Sequence, residues 1–382
     1  MSYKWVRFAV MAVGVVGAAG CTAVFVETNQ EAVHHPVEAA PVPPADISLF
    51  YDKLQPYGHW FPYASYGWAW TPYDVPYGWR PYTNGRWAYT EYGWTWVSHE
   101  PWGWATYHYG RWLFDAGYGW VWVPDHVWAP AWVSWRWSDD WIGWAPLPPG
   151  VEWQAGTGMR YGDRNLERDL DAPMWCFVRR PMLLEPSLRV KLEPSPRNVT
   201  LLAATKIFTD YDEVDRRPRN KGIKLEEIER SLNRPVPRVK VADATAPEEA
   251  SHLVKSKEIQ VYRPEIVSAA DKPPTMTPNA VTDTIPEPVV EQRKEKEQQH
   301  LESFFQRQQK HIKSEQRKEL RQAPAGTDSA EMRRQHDEEL RALEEQKQRE
   351  LKVIDQRLEK RIIKPGHKAK KGKEKTTAAS ES

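Results

Sequence analysis

The chain of 382 residues has only two cysteines, Cys21 and Cys176, and its 53 basic side chains are balanced by 52 acidic ones. Two cysteines are too few for a disulfide framework, and no Cys-x-x-Cys pair is present to bind zinc. A balanced charge gives no overall field of the kind that attracts nucleic acid. We therefore predict neither a disulfide-stabilised scaffold nor a nucleic-acid-binding protein.

The sequence also lacks an apolar run long enough to cross a bilayer. The N-terminal run at 8–20 is shorter than the roughly 20 residues that a membrane-spanning helix needs. Because it follows basic residues and precedes small ones, it predicts a signal peptide over residues 1–20. Ala18-Ala19-Gly20 before Cys21 resembles the lipobox of bacterial lipoproteins, which implies cleavage before Cys21 and acylation of that residue.

The lipobox resemblance implies a protein that is attached to a membrane through lipidated Cys21. Several acyl chains on one residue give stable anchoring. Thr22 rather than aspartate follows, which fits the outer membrane of a Gram-negative cell and a periplasmic location. An ordinary secretory signal with a chance cysteine is the alternative.

Residues 21–49 are rich in Pro and Ala and predict an extended tether. His34-His35 in this tether have no further ligands nearby, so we predict no metal site and no cofactor.

Tryptophan is the residue that the chain has in excess. Of its 21 tryptophans, 18 lie between Trp60 and Trp144. A Gly-x-Trp followed by Gly-Trp-x-Trp occurs three times: GHW (58–60) with GWAW (67–70), GRW (85–87) with GWTW (93–96), and GRW (110–112) with GWVW (119–122). A variant, GWAPL (143–147), follows an insertion. Repeats of this kind predict one small structural unit used several times.

The repeats have the chemistry of short β-strands. In GWTWV and GWVWV, rings alternate with smaller residues, as they do on the two faces of a strand. Glycines between the strands tolerate the positive φ of tight hairpins. We therefore predict a Trp-rich antiparallel β-repeat domain over residues 50–152.

The number of rings raises the question of a ligand site. Each buried tryptophan removes about 150–250 Å² from water, so most of the rings are predicted to be core. The count exceeds what one small core hides, and exposed aromatic patches mark binding sites. The candidate ligand-binding residues are Trp94, Trp96, Trp102, Trp104, Tyr107, Trp120 and Trp122.

The repeats also carry a family resemblance. YGWRPYTNGRWAYTEYGWTWVSHEPWGWATYHYGRW and WAPAWVSWRWSDDWIGWAPLPPG (128–150) resemble the tryptophan-rich bacterial envelope family called domain of unknown function 6600, with its YXWGXW-like repeats. The resemblance extends over about residues 50–267. It implies an exported protein of the cell envelope, and it implies no activity.

The rest of the chain has an ordinary or a polar composition. Residues 153–267 predict a small α+β segment, in which MWCFV and NVTLLAATKIF read as strands and KLEEIERSLN (224–233) reads as a helix. The proline-rich residues 268–289 predict a linker. Residues 290–363 predict long α-helices, as a helical hairpin or a coiled coil, before a basic, disordered tail at 364–382.

The helical end leaves the oligomeric state open. APAGT (323–327) divides the two helices, and Asp328 or Ser329 offers an N-cap for the second. The second helix has a thin apolar seam, which allows a hairpin, self-association as a coiled coil, or a solvated helix. Its members are Leu340, Leu343, Leu351, Ile354, Leu358 and Ile362.

Acidic and basic side chains in the aromatic segment are the only candidates for catalysis. They are His99-Glu100, His108, Asp115, Asp125-His126 and Asp139-Asp140. Paired carboxylates hydrolyse glycosidic bonds when they face each other across a cleft. These residues follow strands, where polar turn residues are usual, and no nucleophile elbow, P-loop or zinc-protease helix is present. We predict that the protein is not an enzyme.

The sequence thus predicts a mixed fold and a binding function. The preferred hypothesis is a non-catalytic outer-membrane lipoprotein that binds peptidoglycan or an envelope protein through exposed aromatic side chains. The alternative is a protein-interaction scaffold that acts through the C-terminal helices, with the aromatic rings buried as core. A glycan hydrolase is the remote alternative.

Overall fold

A computed structural model describes residues 45–63, 66–73, 75–115, 117–250, 257–268, 287–324 and 328–359. All of them belong to one unit, Pro41–Ser382. The predicted signal peptide, Cys21, most of the tether at 21–49 and of the linker at 268–289, and the tail at 364–382 lie outside these ranges. No helix in the described part of the chain is long and apolar enough to cross a membrane.

The aromatic segment folds into four antiparallel β-hairpins, as the sequence predicted. They are β1 (Gly58–Pro62) with β2 (Trp68–Pro72), β3 (Gly85–Thr90) with β4 (Gly93–Ser98), β5 (Arg111–Asp115) with β6 (Gly119–Val123), and β7 (Val133–Trp137) with β8 (Trp141–Pro146). The sequence revealed three copies and a variant. The variant lies in the second strand of the fourth hairpin. In this hairpin Val133 begins the first strand and Trp141 begins the second strand, at positions that are glycines in the other copies.

In every hairpin one tryptophan of the first strand lies directly opposite one of the second. The pairs are Trp60 with Trp70, Trp87 with Trp96, Trp112 with Trp122, and Trp135 with Trp144. Cross-strand aromatic pairs stabilise a hairpin by about 0.2–1 kcal/mol each. The Trp-x-Trp sequence of the second strand occurs in three hairpins and is WIGW in the fourth, yet all four hairpins have the same Trp–Trp pairing.

The glycine of the Gly-x-Trp motif makes room for the opposite ring. A Cβ atom on Gly85 would lie 2.4 Å from the carbonyl oxygen of Val97 and 2.7 Å from the ring of Trp96. Gly93, which opens the second strand, has a φ of +80°, a conformation that other residues adopt at a cost. A Cβ atom on Gly93 would also lie 2.0 Å from the carbonyl oxygen of Asn220. The first glycine of this repeat thus meets a steric demand, and the second meets both a conformational and a steric one.

Further strands and short helices follow the hairpins. The strands are β9 (Glu152–Gln154), β10 (Gly158–Arg160), β11 (Cys176–Arg179), β12 (Lys206–Phe208), β13 (Tyr211–Val214), β14 (Arg217–Asn220), β15 (Arg238–Asp243) and β16 (Glu258–Val261). The short helices are α1 (Ser48–Leu54), α2 (Gly103–Thr106), α3 (Leu166–Asp169), α4 (Asn198–Ala203) and α5 (Leu225–Leu232).

The later strands complete the sheets of the hairpins. The sheet orders are β1-β2-β6-β5, β11-β8-β7-β12 and β13-β14-β4-β3-β15-β16, and β9 pairs with β10 alone. Residues 153–267 therefore do not form sheets of their own beyond β9 and β10. The division at residue 152 that the sequence predicted separates two compositions but not two sheets. Pairing protects hairpin edges that would otherwise present free N–H and C=O groups.

One predicted strand is partly a helix. NVTLLAATKIF contains α4 before β12, whereas the helix predicted over 224–233 is confirmed as α5. The side-chain amide of Asn198, the first residue of α4, donates to the carbonyl groups of Ala172 and Trp175 at 2.8 and 2.6 Å. These long-range bonds fix the start of the helix and leave no trace in the local sequence.

The two long helices, α6 (Glu287–Gln322) and α7 (Ser329–Glu359), form the predicted helical hairpin. The helix α6 begins within the predicted linker. Asp328 caps α7, since its carboxylate accepts the N–H groups of Ala330 and Glu331 at 2.9 and 3.2 Å. Five residues of the apolar seam of α7 pack inside this hairpin against Leu301, Phe305 and Ile312 of α6, and they are Leu340, Leu343, Leu351, Ile354 and Leu358. Ile362 lies outside the described residues.

The helical hairpin also packs on the β-sheet part of the protein. The Tyr77 hydroxyl donates to the carbonyl oxygen of Glu297 at 2.9 Å, and the Ser195 hydroxyl donates to the side chain of Gln346 at 2.6 Å. Arg197 forms ion pairs with Glu193 of the body and with Glu339 of α7 at 3.1 and 3.4 Å. The helices are therefore held against the sheets by side chains from both partners.

A candidate aromatic binding surface

The structure buries six of the seven rings that the sequence suggested as ligand-binding residues. Trp94, Trp96, Tyr107 and Trp122 are at most 1% exposed, Trp104 is 6% exposed and Trp120 is 8% exposed. Trp102 alone is half-buried, and its ring packs against Tyr57 and Trp70. The expectation that these rings form an exposed strip is wrong for the other six.

These rings are buried because the core includes residues that lie outside the repeat segment. Residues after 152 cover the hairpins, so that 17 of the 20 described tryptophans are buried. The indole N–H of Trp94, for example, donates to the carbonyl oxygen of Ile223 at 2.8 Å, and that of Trp135 donates to the side chain of Asn220 at 2.9 Å. A count of rings against the repeat segment alone therefore overestimates the surplus.

Most of the buried rings belong to one large aromatic core, while Trp141 with Trp175 and Trp132 with Trp153 belong to two smaller clusters. Trp87 and Trp135, from different sheets, have ring centroids 4.6 Å apart, and the rings of Tyr82 and Tyr107 are also 4.6 Å apart. Trp60 and Trp122 lie 6.0 Å apart on the inner face of the sheet β1-β2-β6-β5. Such tilted and edge-to-face contacts add about 0.5–1.5 kcal/mol per pair beyond area burial.

The opposite face of that sheet carries a second set of rings, which we call the outer aromatic row. Strand residues alternate between faces, so the neighbours of the core tryptophans point outward. The row consists of His59, Phe61, Tyr63, Tyr66, Tyr73 and Tyr118. It lies over the small residues Ala69 and Val121.

The rings of the row are in contact along its length. His59 lies 5.9 Å from Tyr73 and 5.4 Å from Phe61, measured between ring centroids. Phe61 stacks on Tyr118 at 4.0 Å with an interplanar angle of 11°. At one end, Tyr66 lies 6.3 Å from Tyr63 with nearly parallel rings.

The ends of the row are exposed. Tyr66 and Tyr73 are 39% and 38% exposed, and they are the exposed aromatic residues of the part of the chain that the structure describes. His59, Tyr63 and Tyr118 between them are half-buried. Ring faces are thus held in place by neighbours while part of their surface meets water.

A hydrogen bond fixes the middle of the row. The Tyr63 hydroxyl donates to Asp115 at 2.9 Å, and Asp115 accepts the backbone N–H groups of Gly117 and Tyr118 at 2.6 and 3.0 Å. Burial and the neighbouring Asp115 carboxylate raise the pKa of Tyr63 to about 12, so the hydroxyl remains a donor. Asp115, a candidate acid in the sequence, stabilises the turn between β5 and β6.

Of the remaining candidate acids and bases, Glu100 and His108 line the same small cavity of about 40 Å³ beside α2, whereas Asp125 lies outside it. Glu100 is buried and accepts hydrogen bonds from the Trp79 indole at 2.7 Å and from the Tyr107 hydroxyl. His108 is buried with Nδ1 2.9 Å from the carbonyl oxygen of Ala129. Asp125 lies beside His126, at 2.8 Å, and Arg111, at 3.8 Å.

Two further carboxylates, Asp139 and Asp140, are exposed between β7 and β8. Asp139 lies 3.7 Å from Arg180. Within the described ranges, no group of three or more His, Cys, Asp or Glu side chains is placed to hold a metal ion.

Comparison with known proteins agrees with the resemblance over residues 51–151, and its extension to residue 267 stays a prediction. Residues 51–151 match the model of a family of unknown function, DUF6600. The DUF6600 match spans the four hairpins and ends before β9. No curated protein and no solved structure matches the chain.

The outer aromatic row was not singled out from the sequence, although a signal for it exists in the DUF6600 segment. In GHWFPY the rings of His59, Phe61 and Tyr63 alternate with Trp60, so they occupy the opposite face of β1. The tryptophan motifs are defined by their glycines and tryptophans, so a search for tryptophan repeats does not find the second series of rings. The exposure of Tyr66 and Tyr73 depends on the turns beyond the strands, which alternation does not predict.

Proposed function

We propose that the protein is a non-catalytic binding protein of the cell envelope whose outer aromatic row binds a glycan strand. The observation that carries the proposal is the exposure of Tyr66 and Tyr73 at the two ends of a row of mutually supporting rings. Exposed aromatic patches on a folded protein mark binding sites. Most of the described tryptophans, by contrast, are buried in the core, and none belongs to the proposed site.

The chemistry of the row favours a sugar over a protein partner. Ring faces accept the C–H faces of pyranose rings, and tyrosine hydroxyls donate to sugar oxygens. Protein-binding hot spots are enriched in tryptophan, tyrosine and arginine side chains. The outer aromatic row shares the tyrosines with such hot spots but contains neither tryptophan nor arginine. Peptidoglycan is the glycan that a periplasmic protein meets, so it is the proposed ligand.

The test is co-sedimentation of the purified protein with peptidoglycan sacculi. We expect the double variant Tyr66→Ala/Tyr73→Ala to be retained about tenfold less than the wild type, since stacked aromatic contacts of about 0.5–1.5 kcal/mol each are lost. Tyr66→Phe/Tyr73→Phe retains the rings and should lose less.

A matched control removes exposed apolar surface elsewhere. Val190 and Leu320 are 77% and 37% exposed and lie outside the outer aromatic row. Val190→Ala/Leu320→Ala should sediment with sacculi as the wild type does. Equal retention of all four proteins would eliminate the glycan proposal, and capture of a protein by the same tyrosines would replace it.

The proposal includes lipid anchoring at Cys21 in the outer membrane. It is supported by the apolar run at 8–20, by the lipobox resemblance and by Thr22 after the cysteine. Cys21→Ser should release the protein from the membrane fraction and abolish labelling by radioactive palmitate. A membrane-bound Cys21→Ser protein would show that the segment acts in another way.

A scaffold that acts through the helices is the second candidate. From residue 306 to the end of α6, the exposed side chains include five unpaired cations and no carboxylate: Arg307, Lys310, Lys313, Arg317 and Arg321. Such a stripe suits an acidic partner. Because the apolar seam is used within the helical hairpin, self-association would need another face.

Replacing Arg307, Lys310 and Arg317 by Glu should abolish cross-linking to partners in cells, and unchanged cross-links would refute the scaffold.

A further inference from the structure

We propose that the cleft between the helical hairpin and the sheets is a second binding site, which takes a small ligand with an anionic carboxylate or phosphate group. The site is separate from the outer aromatic row and does not depend on glycan binding. It lies where α6 and α7 cover the loop at 76–83 and the loop at 192–196.

The cleft has two lobes of about 310 and 350 Å³. Small-molecule sites typically measure about 300–1,000 Å³. Both lobes are lined by Trp79 and Arg80, and the hydrogen bond between Ser195 and Gln346 crosses the boundary between them. The two lobes therefore meet at Trp79 and Arg80.

The first lobe carries two arginines that lack a carboxylate partner. Arg80 is 7% exposed, and its Nε donates to the sulfur atom of Cys176 at 3.4 Å. Arg189 lies at the exposed rim of the same lobe. Among the described residues, neither guanidinium has a carboxylate oxygen within the 4.0 Å of an ion pair. A buried cation is costly unless it is paired, so an anionic ligand would stabilise this arrangement.

The acidic groups nearby do not neutralise these arginines. Glu193 lines the same lobe, but it is paired with Arg197 at 3.1 Å. Glu100 lies behind Trp79, where it accepts the indole N–H. Burial raises its pKa to about 7 although the charge of Arg189 acts in the opposite direction, so this carboxyl is largely neutral below pH 7. The first lobe is therefore left with spare positive charge.

The walls define the rest of the ligand. Tyr77, Trp79 and Phe304 present rings in the first lobe, and the second lobe is lined by Phe114, Trp120 and Met174. Asp171, Glu345, Glu350 and Arg349 also line the second lobe, which gives it a surplus of acidic groups and no preference for an anion. The fitting ligand is an anion with a ring or a short apolar body.

Three probes on one scaffold test the proposal by isothermal titration: benzoate, phenyl phosphate and the neutral benzyl alcohol. We expect the two anions to bind at least about tenfold more tightly than the alcohol, because charge-assisted hydrogen bonds to arginine are strong. Benzoate and phenyl phosphate distinguish a carboxylate ligand from a phosphate ligand.

Arg189→Gln should reduce the affinity for the anions about tenfold and leave benzyl alcohol unchanged. Because Arg189 is exposed, this variant should fold, unlike a replacement of the buried Arg80. Arg307→Gln, on the outer face of α6, removes the same charge outside the cleft and should bind as the wild type does. Three results would overturn the proposal. The three probes bind equally, none of them binds at millimolar concentration, or Arg189→Gln binds the anions as the wild type does. Tyr66→Ala/Tyr73→Ala should bind benzoate normally, which separates this site from the proposed glycan surface.

Discussion

Glu100 and His108 lie on either side of α2, and burial acts on them in opposite directions. Burial raises the pKa of Glu100 to about 7, although the hydrogen bonds from Tyr107 and Trp79 favour the carboxylate. Burial lowers the pKa of His108 to about 4, although backbone carbonyl groups favour its protonated form. Both groups are therefore driven toward their neutral forms inside the aromatic core.

Glu100 makes the protein less stable as the pH rises. Its folded pKa of about 7 exceeds the ordinary value of 4.5, so the folded state binds more protons between these values. The stability contribution is present below about pH 4.5 and is lost as the pH rises through 7. We expect the free energy of unfolding of Glu100→Gln, relative to the wild type, to increase by about 3 kcal/mol between acidic and mildly alkaline pH.

Urea unfolding of both proteins at about pH 4.5 and pH 8 measures this difference. His108 has the opposite dependence, since its depressed pKa weakens the fold as the pH falls from 6.5 toward 4. Comparing the two proteins at each pH cancels the contribution of His108. A difference that does not change with pH would show that Glu100 is charged in the folded protein.

At the scale of single residues, the sequence predicted that most tryptophans are buried, but it did not predict which aromatic side chains are exposed. It predicted that most tryptophans are core, and Trp70, Trp94 and Trp144 are completely buried. It could not predict which rings remain outside, because Trp94 is covered by the segment around Ile223, 129 residues later in the chain. Exposure is set by such distant segments, and local pattern contains no information about them.

At the scale of the secondary-structure elements, the hairpin is the unit that the repeats encode. The Gly-x-Trp motif places a residue without Cβ against the ring of the second paired tryptophan in each of the first three hairpins. Hairpin pairing is local in sequence, so motif, register and turn could all be predicted. The pairing of β15 with β3 joins residues about 150 apart and could not.

Gly85→Ala tests the steric part of the motif. Its Cβ would lie 2.4 Å from a backbone oxygen, which cannot move without breaking the hairpin, so we expect a loss of about 3 kcal/mol in the free energy of unfolding. Near-ultraviolet circular dichroism should change as well, because Trp96 has to move. Denaturant titration and this spectrum are the measurements.

The control is Gly67→Ala, in the turn of the first hairpin. Gly67 has a φ of +75°, and a Cβ atom on it would meet no other atom within 4 Å, so the change should cost only about 1 kcal/mol of backbone strain. Its spectrum should match that of the wild type. If Gly85→Ala behaves like Gly67→Ala, then close packing against the ring is not the reason for the glycine.

At the scale of the whole molecule, a group of charged side chains joins the helical hairpin to the sheets. Arg197 of the body contacts Glu339 of α7 and Glu319 of α6, and Glu319 also contacts His336 at 3.0 Å. Gln316 donates to Glu339 at 2.9 Å. Glu339 is only 2% exposed, so its charge depends on these partners.

Arg197→Met should loosen the helices. It leaves Glu339 buried beside other carboxylates without its cation, a change that costs about 3 kcal/mol or more. Amide hydrogen exchange in the middle of α7 should become about a hundredfold faster, while exchange in β3 and β4 stays unchanged.

Arg334→Met provides the comparison. Arg334 forms ion pairs with Glu331 and Glu338 on the exposed side of α7, and their loss should leave exchange in α7 as it is in the wild type. If both variants exchange at the same rate, the contacts around Arg197 do not hold the helices.

The helical hairpin itself was predicted from composition and from the break at 323–327, but its attachment was not. Arg197 and Glu339 are 142 residues apart, and neither stands out in its own segment. The cleft lined by Arg80 and Arg189 arises only from this attachment, since α6 forms one of its walls.

The paired tryptophans have an optical consequence. Indoles whose centroids are 4.6–6.5 Å apart, as for Trp87 with Trp135 and Trp96 with Trp144, couple their electronic transitions and exchange excitation energy. The folded protein should therefore show exciton bands in circular dichroism and strongly depolarised fluorescence, both of which vanish when the hairpins separate. The separation of the second hairpin from the fourth can therefore be followed without attaching a dye.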